Sequence, residues 1–168
     1  MSSSQKNLSS FDLKSLPNAV KMRIGIVVSE WNPGITEKLF EGAYETLVSC
    51  GCEKENIIRK NVPGSFELIT GGLFFAEYED VDAVIALGCV IQGETRHFEF
   101  ICNAVSQGLI NLSIKFGLPF IFGVLTTDTL EQAKERAGGK HGNKGIEAAV
   151  TAIKMVALQY EFEGAKGK

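Results

Sequence analysis

His97 ends a polar run, Gln92-Gly-Glu-Thr-Arg-His97, that directly follows the strongest strand signal of the chain, residues 81–91. Histidine exchanges protons near neutral pH, so a His in this place suits general acid–base work. The backbone N–H groups of such a turn, with the Thr95 hydroxyl, also suit an anion. Glu94 opposes an anion if its side chain points inward, and helps only through its amide if it points away. An ordinary surface histidine remains the alternative. A second stretch, Arg136-Ala-Gly-Gly-Lys140-His-Gly-Asn-Lys144-Gly145, gathers three cations among four glycines in a chain of net charge −3. Arg offers a bidentate fork to phosphate, and glycines let the backbone come close. Its spacing is not that of a Walker loop, and a solvated turn between helices is the plainer reading. A third, Pro63-Gly64-Ser65-Phe66-Glu67, joins helix-start amides, a hydroxyl and a carboxylate. It suits a hydroxyl-rich or heterocyclic ligand, or is simply a capped helix N-terminus. Trp31 and Phe122 are the aromatics best placed to stack on a flat ring, unless they belong to the core.

These residues need elements to hold them. Residues 22–29, 57–62, 81–91 and 120–125 read as strands, and the near-continuous apolar character of 22–29 fits burial on both faces. Pro33 sits at the first position of a helix carrying Ile35, Leu39, Ala43, Leu47 and Cys50 at helical spacing, stopped by Gly51. Ser65 starts a helix carrying Leu68, Ile69, Leu73 and Phe74. After His97 a long amphipathic helix presents Ile101, Ala104, Val105, Gly108, Leu109 and Leu112, and Gly117-Leu-Pro119 closes it. Asp128-Thr-Leu-Glu131 opens a short helix in capping-box form, ending at Gly138-Gly139. A last helix from about Asn143 turns Ile146, Ala149, Val150, Ile153, Val156 and Tyr160 inward. This alternation predicts a three-layer α/β sandwich: a four-stranded, mainly parallel sheet with helices on both faces. In such sheets ligands bind beyond the carboxyl ends of the strands. Residues 30–32, 63–67, 90–97 and 125–128 fall there, and so does most of the unusual chemistry.

With 168 residues, the chain reads as one domain at 22–160, with a flexible N-terminal arm at 1–21 and a C-terminal tail at 161–168. Its acidic balance argues against chain-wide affinity for nucleic acid or anionic membranes. No apolar run approaches the roughly 20 residues of a membrane span. The N-terminus has no continuous apolar core of a secretory signal. Cys50-Gly-Cys52 lacks zinc-site spacing, and Cys89 and Cys102 read as buried hydrophobes, so no metal is expected. A reducing, cytoplasmic compartment is the simpler reading. The Asn-Leu-Ser runs at Asn7 and Asn111 are then chance sequons.

Taken in order, five blocks closely resemble the 6,7-dimethyl-8-ribityllumazine synthase family: Ser29-Glu-Trp-Asn-Pro-Gly-Ile-Thr36, Val62-Pro-Gly-Ser-Phe-Glu-Leu68, Ala86-Leu-Gly-Cys-Val-Ile-Gln-Gly-Glu-Thr-Arg-His-Phe98, Phe122-Gly-Val-Leu-Thr-Thr-Asp128 and Glu135-Arg-Ala-Gly-Gly-Lys-His-Gly-Asn-Lys-Gly145. The resemblance spans about residues 22–160. It implies a flavodoxin-like fold and condensation of 5-amino-6-(D-ribitylamino)uracil with 3,4-dihydroxy-2-butanone 4-phosphate, the penultimate step of riboflavin biosynthesis, without a cofactor. His97 would be the proton donor and acceptor. Trp31, in place of the commoner Phe, would stack on the pyrimidine beside Asn32. Ser65, Phe66 and Glu67 would meet the ribityl chain, Cys89, Val90 and Ile91 the ring edge, and Phe122 would line the same pocket. Glu94 (where a small residue is often seen), Thr95 and a neighbouring copy's Arg136 would hold phosphate. Lys144 would lie near the site, and Glu147 would orient His97.

The resemblance also implies a pentamer with active sites at subunit interfaces, and association with riboflavin synthase. In some members twelve pentamers close into an icosahedral shell. The short connection 138–145 favours the shell here, where the arm would pair with a neighbour's sheet edge. An archaeal-type riboflavin synthase, a flavodoxin-like flavin carrier and a non-catalytic shell protein are the competing readings.

Overall fold

In the computed structural model, which describes residues 11–12 and 15–166, a four-stranded sheet runs in the order β2-β1-β3-β4, with every neighbouring pair parallel. The strands are β1 (Ile24–Ser29), β2 (Ile57–Val62), β3 (Ala83–Ile91) and β4 (Phe120–Thr127). All six residues of β1 are buried, as are the first seven of β3, because these central strands are covered on both faces. The edge strand β4 instead exposes Phe122 and Thr126 between buried neighbours.

α1 (Pro33–Ser49) and α5 (Lys144–Lys166) pack together on one face, where Leu39, Ala43, Leu47, Ala149 and Ile153 meet Ile24, Ile26, Val28, Ile85 and Leu87. α2 (Leu68–Tyr78) and α3 (His97–Phe116) cover the other, bringing Leu68, Phe75, Val105 and Leu109 onto Val27, Val84, Ala86 and Val124. The chain is therefore the expected three-layer α/β sandwich, in flavodoxin-like strand order. Its sheet is wholly rather than mainly parallel.

Several expected details shift. α2 begins at Leu68, since Ser65–Glu67 form a turn; its inward residues are Leu68, Gly71, Gly72 and Phe75, and Phe74 points to solvent. Thr129, not Asp128, caps α4 (Leu130–Glu135): its hydroxyl accepts from the Gln132 N–H at 3.2 Å, and the Gln132 side chain accepts from the Asp128 N–H at 3.0 Å. Glycines 138 and 142 adopt positive φ and fold the expected helix-to-helix turn into a hairpin of β5 (Ala137–Gly139) and β6 (Gly142–Asn143). Tyr160 reaches the surface rather than the core, and Cys102 is only half-buried.

The arm read at 1–21 lies largely outside the described residues. Within its described part Ala19 is fully buried and its N–H donates to the Cys50 carbonyl at 2.9 Å, so the packed body starts before Met22. At the other end, α5 carries the expected tail into helix as far as Lys166.

Candidate active site

The sheet order sends the connections after β1 and β3 in opposite directions, which opens a crevice between their carboxyl ends. A cleft of about 650 Å³ lies there. Trp31 and Asn32 come to it from the end of β1, and Gly64, Ser65, Phe66 and Glu67 from the turn after β2. Cys89, Val90 and Ile91 come from the end of β3, and His97 and Ile101 from the first turns of α3. Four segments far apart in sequence thus bring together nine of the residues singled out from the sequence.

Local chemistry explains how they are held. Asn32 takes a left-handed conformation, φ 61°, the one non-glycine positive φ among the described residues. Asn tolerates that region better than most residues, and the Nδ2 of Asn32 donates to the Cys89 carbonyl at 3.0 Å. The carbonyl of Asn32 in turn accepts from the Ile35 and Thr36 N–H groups, which starts α1. Trp31 is left 71% exposed at the cleft wall, a flat apolar face open to solvent among the described residues. Ser65 is buried against Gly88, where a Cβ would stand 2.8 Å from its hydroxyl oxygen; only glycine in β3 leaves room for Ser65 to reach the cleft.

His97 is the first residue of α3 and is exposed. Its backbone N–H donates to the Thr95 hydroxyl at 3.4 Å. Glu94 and Thr95 lie on the exposed turn between Ile91 and His97 and do not themselves line the cleft, although Ile91 and His97 do. Burial pushes the Cys89 thiol up to about 11. That thiol therefore stays protonated and is no nucleophile near neutrality, leaving Cys89 its backbone as its offering.

Phe122, Arg136, Lys144 and Glu147 do not line this cleft. Phe122 is 41% exposed on the open edge strand, opposite Ala86 in the ladder and several residues short of the strand's carboxyl end. Arg136 follows α4, its Nη1 donating to the Gln132 carbonyl at 3.1 Å. Lys144 opens α5 and its ammonium contacts the Glu147 carboxylate at 2.6 Å. Within one chain Glu147 therefore serves Lys144, not His97.

Sequence reasoning placed Ile101 only in the helix core, yet it lines the cleft one turn after His97. The i, i+4 spacing was the available signal. A larger groove of about 720 Å³ runs along β2 and α2 past Phe74, Phe75 and Tyr78. It shares only Glu67 with the cleft and holds none of the proposed acid–base or phosphate groups. Among the described residues no cluster of His, Cys, Asp and Glu suits a metal ion, and no helix is long and apolar enough to cross a membrane.

The family model for 6,7-dimethyl-8-ribityllumazine synthase matches residues 21–160. A protein of that description from Cytophaga hutchinsonii is 62% identical, over 94% of this chain and 98% of its own length. Those from Parabacteroides distasonis and Porphyromonas gingivalis are 56% and 54% identical, over 93% and 95% of this chain and 98% and 99% of their own. These likenesses favour that family over the riboflavin-synthase and flavin-carrier readings.

Proposed function

The chain belongs to the 6,7-dimethyl-8-ribityllumazine synthase family, and we propose that the cleft beside Trp31 and His97 is the pyrimidine-binding half of its active site. It is a transferase of riboflavin biosynthesis, acting on small-molecule substrates. It joins 5-amino-6-(D-ribitylamino)uracil to 3,4-dihydroxy-2-butanone 4-phosphate, releasing phosphate and water. The observation that supports the site is the convergence of nine residues from four separate segments on one cleft at the strands' carboxyl ends.

Trp31 stacks on the pyrimidine, and Asn32 borders it. Ser65, Phe66 and Glu67 meet the ribityl chain, whose hydroxyls need both donors and acceptors. Backbone groups of Cys89, Val90 and Ile91 meet the ring edge. The substrate amine attacks the ketone, the carbinolamine loses water, phosphate leaves, and ring closure expels a second water. Every step moves a proton, and His97 assists by about 10²–10⁴-fold. Holding two reactants in register lowers the barrier by up to about 7–11 kcal/mol. The turn at Glu94 and Thr95 holds the phosphate through its amides and hydroxyl, since the Glu94 carboxylate repels an anion.

Arg136, Phe122 and Lys144 complete the site from a second copy, because their own chain keeps them outside the cleft. An orienting contact from Glu147 to His97 has the same origin. The homo-oligomer is a pentamer, and twelve pentamers close into a shell. Exposed Phe100, Ile110 and Ile114 on α3, with Met155, Leu158 and Phe162 on α5, are the kind of apolar surface that copies cover in an assembly. The shell rests on the short 138–145 connection, and the association with riboflavin synthase on the family resemblance. Four free cysteines fit a reducing, cytoplasmic setting.

The test is to mix the purified protein with both substrates and follow lumazine fluorescence and free phosphate together. Equal accumulation of both supports the reading. Turnover of lumazine alone, without butanone phosphate, overturns it. Light scattering that finds a stable monomer overturns the shared site, and a stable pentamer overturns the shell.

A further inference from the structure

α1 begins beside the Trp31–Asn32 wall of the cleft, and its second and third turns cross the junction between the β5–β6 hairpin and α5. Asn143 sits at that crossing, 8% exposed. Its Nδ2 donates to the Lys38 carbonyl of α1 at 2.9 Å, and its Oδ1 accepts from the Gly145 N–H at 2.8 Å. A carboxamide gives a donor and an acceptor on two separate atoms, as the two bonds here require; an aspartate lacks the donor, and a leucine lacks both.

The packing around it leaves no slack. A Cβ on Gly42 would stand 2.6 Å from Nδ2 and 2.8 Å from Cγ of Asn143, and a Cβ on Gly145 would run into the Leu39 backbone. The hairpin then ties the neighbouring cations to this point. Asn143 pairs with Ala137 in the β5–β6 ladder, and the Lys144 N–H donates to the Arg136 carbonyl at 2.9 Å. Arg136 and Lys144 are thus joined to each other through the main chain, and the residue between them in the ladder is pinned to α1.

We propose that Asn143 is a positioning residue for the phosphate-bearing substrate, acting by fixing the backbone from which Arg136 and Lys144 project. This rests on the phosphate role of Arg136 given above. α1 makes the arrangement more than local: its start carries the pyrimidine wall of one site, and its flank carries the hairpin whose cations serve the site shared with a second copy.

Steady-state kinetics on Asn143→Asp, Arg136→Ala and the double variant test it. Asn143→Asp keeps the shape and the acceptor but loses the donor to Lys38. It is expected to raise KM for butanone phosphate about tenfold while moving KM for the pyrimidine less than about twofold. On the Arg136→Ala background it is expected to add clearly less than on the wild type, since the part of its effect that runs through the guanidinium is already lost and only the part through Lys144 remains. A packing role alone predicts something else: a lower melting temperature and active fraction, unchanged KM values, and additivity with Arg136→Ala. That result overturns the proposal. If Arg136→Ala itself moves both KM values equally, the phosphate assignment has failed, which is a separate outcome from a selective Arg136→Ala with a neutral Asn143→Asp.

Gly42→Ala gives a milder displacement of the same carboxamide and is expected to shift KM in the same selective direction. The unmodified protein supplies a readout independent of any variant's folding. Inorganic phosphate that competes with butanone phosphate is expected to slow amide exchange at Lys144 and Gly145. Competition without that slowing overturns the proposal, and no competition overturns the phosphate assignment.

Discussion

Asn32 donates a hydrogen bond to the carbonyl of Cys89 at 3.0 Å, and so ties the loop after β1 to the end of β3 across the mouth of the sheet. That bond and the left-handed backbone of Asn32 belong together. The positive φ turns the chain into α1 while leaving the carboxamide aimed at β3. Any β-substituted replacement without such a partner keeps the strain and loses the compensation.

Asn32→Ala is therefore expected to destabilise the protein by about 1–3 kcal/mol, from strain plus a lost hydrogen bond. Asn32→Gly relieves the backbone but not the tie, so its melting temperature should fall between wild type and Asn32→Ala. Both should raise KM for the pyrimidine, because both free the Trp31 loop. Thermal denaturation and kinetics on the pair check the order, and an Ala variant more stable than the Gly variant contradicts it.

Trp31 is the sole tryptophan of the chain and lies on the cleft wall. Binding of the ribitylaminopyrimidine is expected to quench its emission and shift it to the blue as the ring leaves water. Trp31→Ala should raise KM for that substrate by about 5–100-fold, the scale of one lost aromatic stack. Fluorescence titration measures the first and initial rates the second; a saturating substrate that leaves the emission unchanged places the pyrimidine elsewhere.

His97→Gln removes the acid–base group while keeping a polar first residue in α3. Turnover is expected to drop by about 10²–10⁴-fold with both KM values little changed and the oligomer intact. The pH–rate profile should flatten as well. A profile of unchanged shape assigns the proton transfers to another group.

Much of this is legible in the amino-acid sequence, for a physical reason. Both β1 and β3 are buried on two faces, so they appear as unbroken apolar runs, and the polar residues that interrupt those runs mark the strand ends where a cleft can form. Trp31 follows β1, and the turn leading to His97 follows β3; Ser65 follows the more polar β2 and is marked instead by Pro63-Gly64 before it. The hairpin was not legible, because β5 and β6 together hold only five residues and have no room to show a period of two. Phe122 marks a different limit. It stands in a strand of the right sheet, but its exposure follows from β4 being an edge strand, a matter of strand order that the local sequence pattern does not carry.

Arg136→Ala is expected to raise KM for butanone phosphate about tenfold or more and to leave KM for the pyrimidine nearly unchanged, as suits loss of one charge-assisted fork to phosphate. Arg136→Lys should recover only part of this, since an ammonium keeps the charge but not the bidentate geometry. Kinetics with each substrate varied in turn gives both values. An equal shift in the two constants removes Arg136 from the phosphate role.

Alkali is expected to weaken the fold. Burial pushes both the Cys89 and Cys52 thiols up to about 11, and burial with the nearby Asp82 carboxylate pushes the Tyr160 hydroxyl up to about 12. In each case the folded state holds a proton that the unfolded chain gives up sooner, at about pH 9.0 for the thiols. The stability these groups contribute is thus fully present below about pH 9 and is lost as pH rises toward 11, with Tyr160 extending the loss higher. A fully buried thiol steepens the decline by up to about 1.4 kcal/mol per pH unit within its window. The melting temperature should accordingly fall from pH 9 upward, and Cys89→Ala should flatten the fall even if it lowers the starting value through a small cavity. Alkylation agrees in sign: at pH 8 Cys89 should stay unmodified in the folded protein and react only after denaturation. A slope above pH 9 that is the same with and without Cys89 would mean that its thiol reaches water more easily than its burial requires.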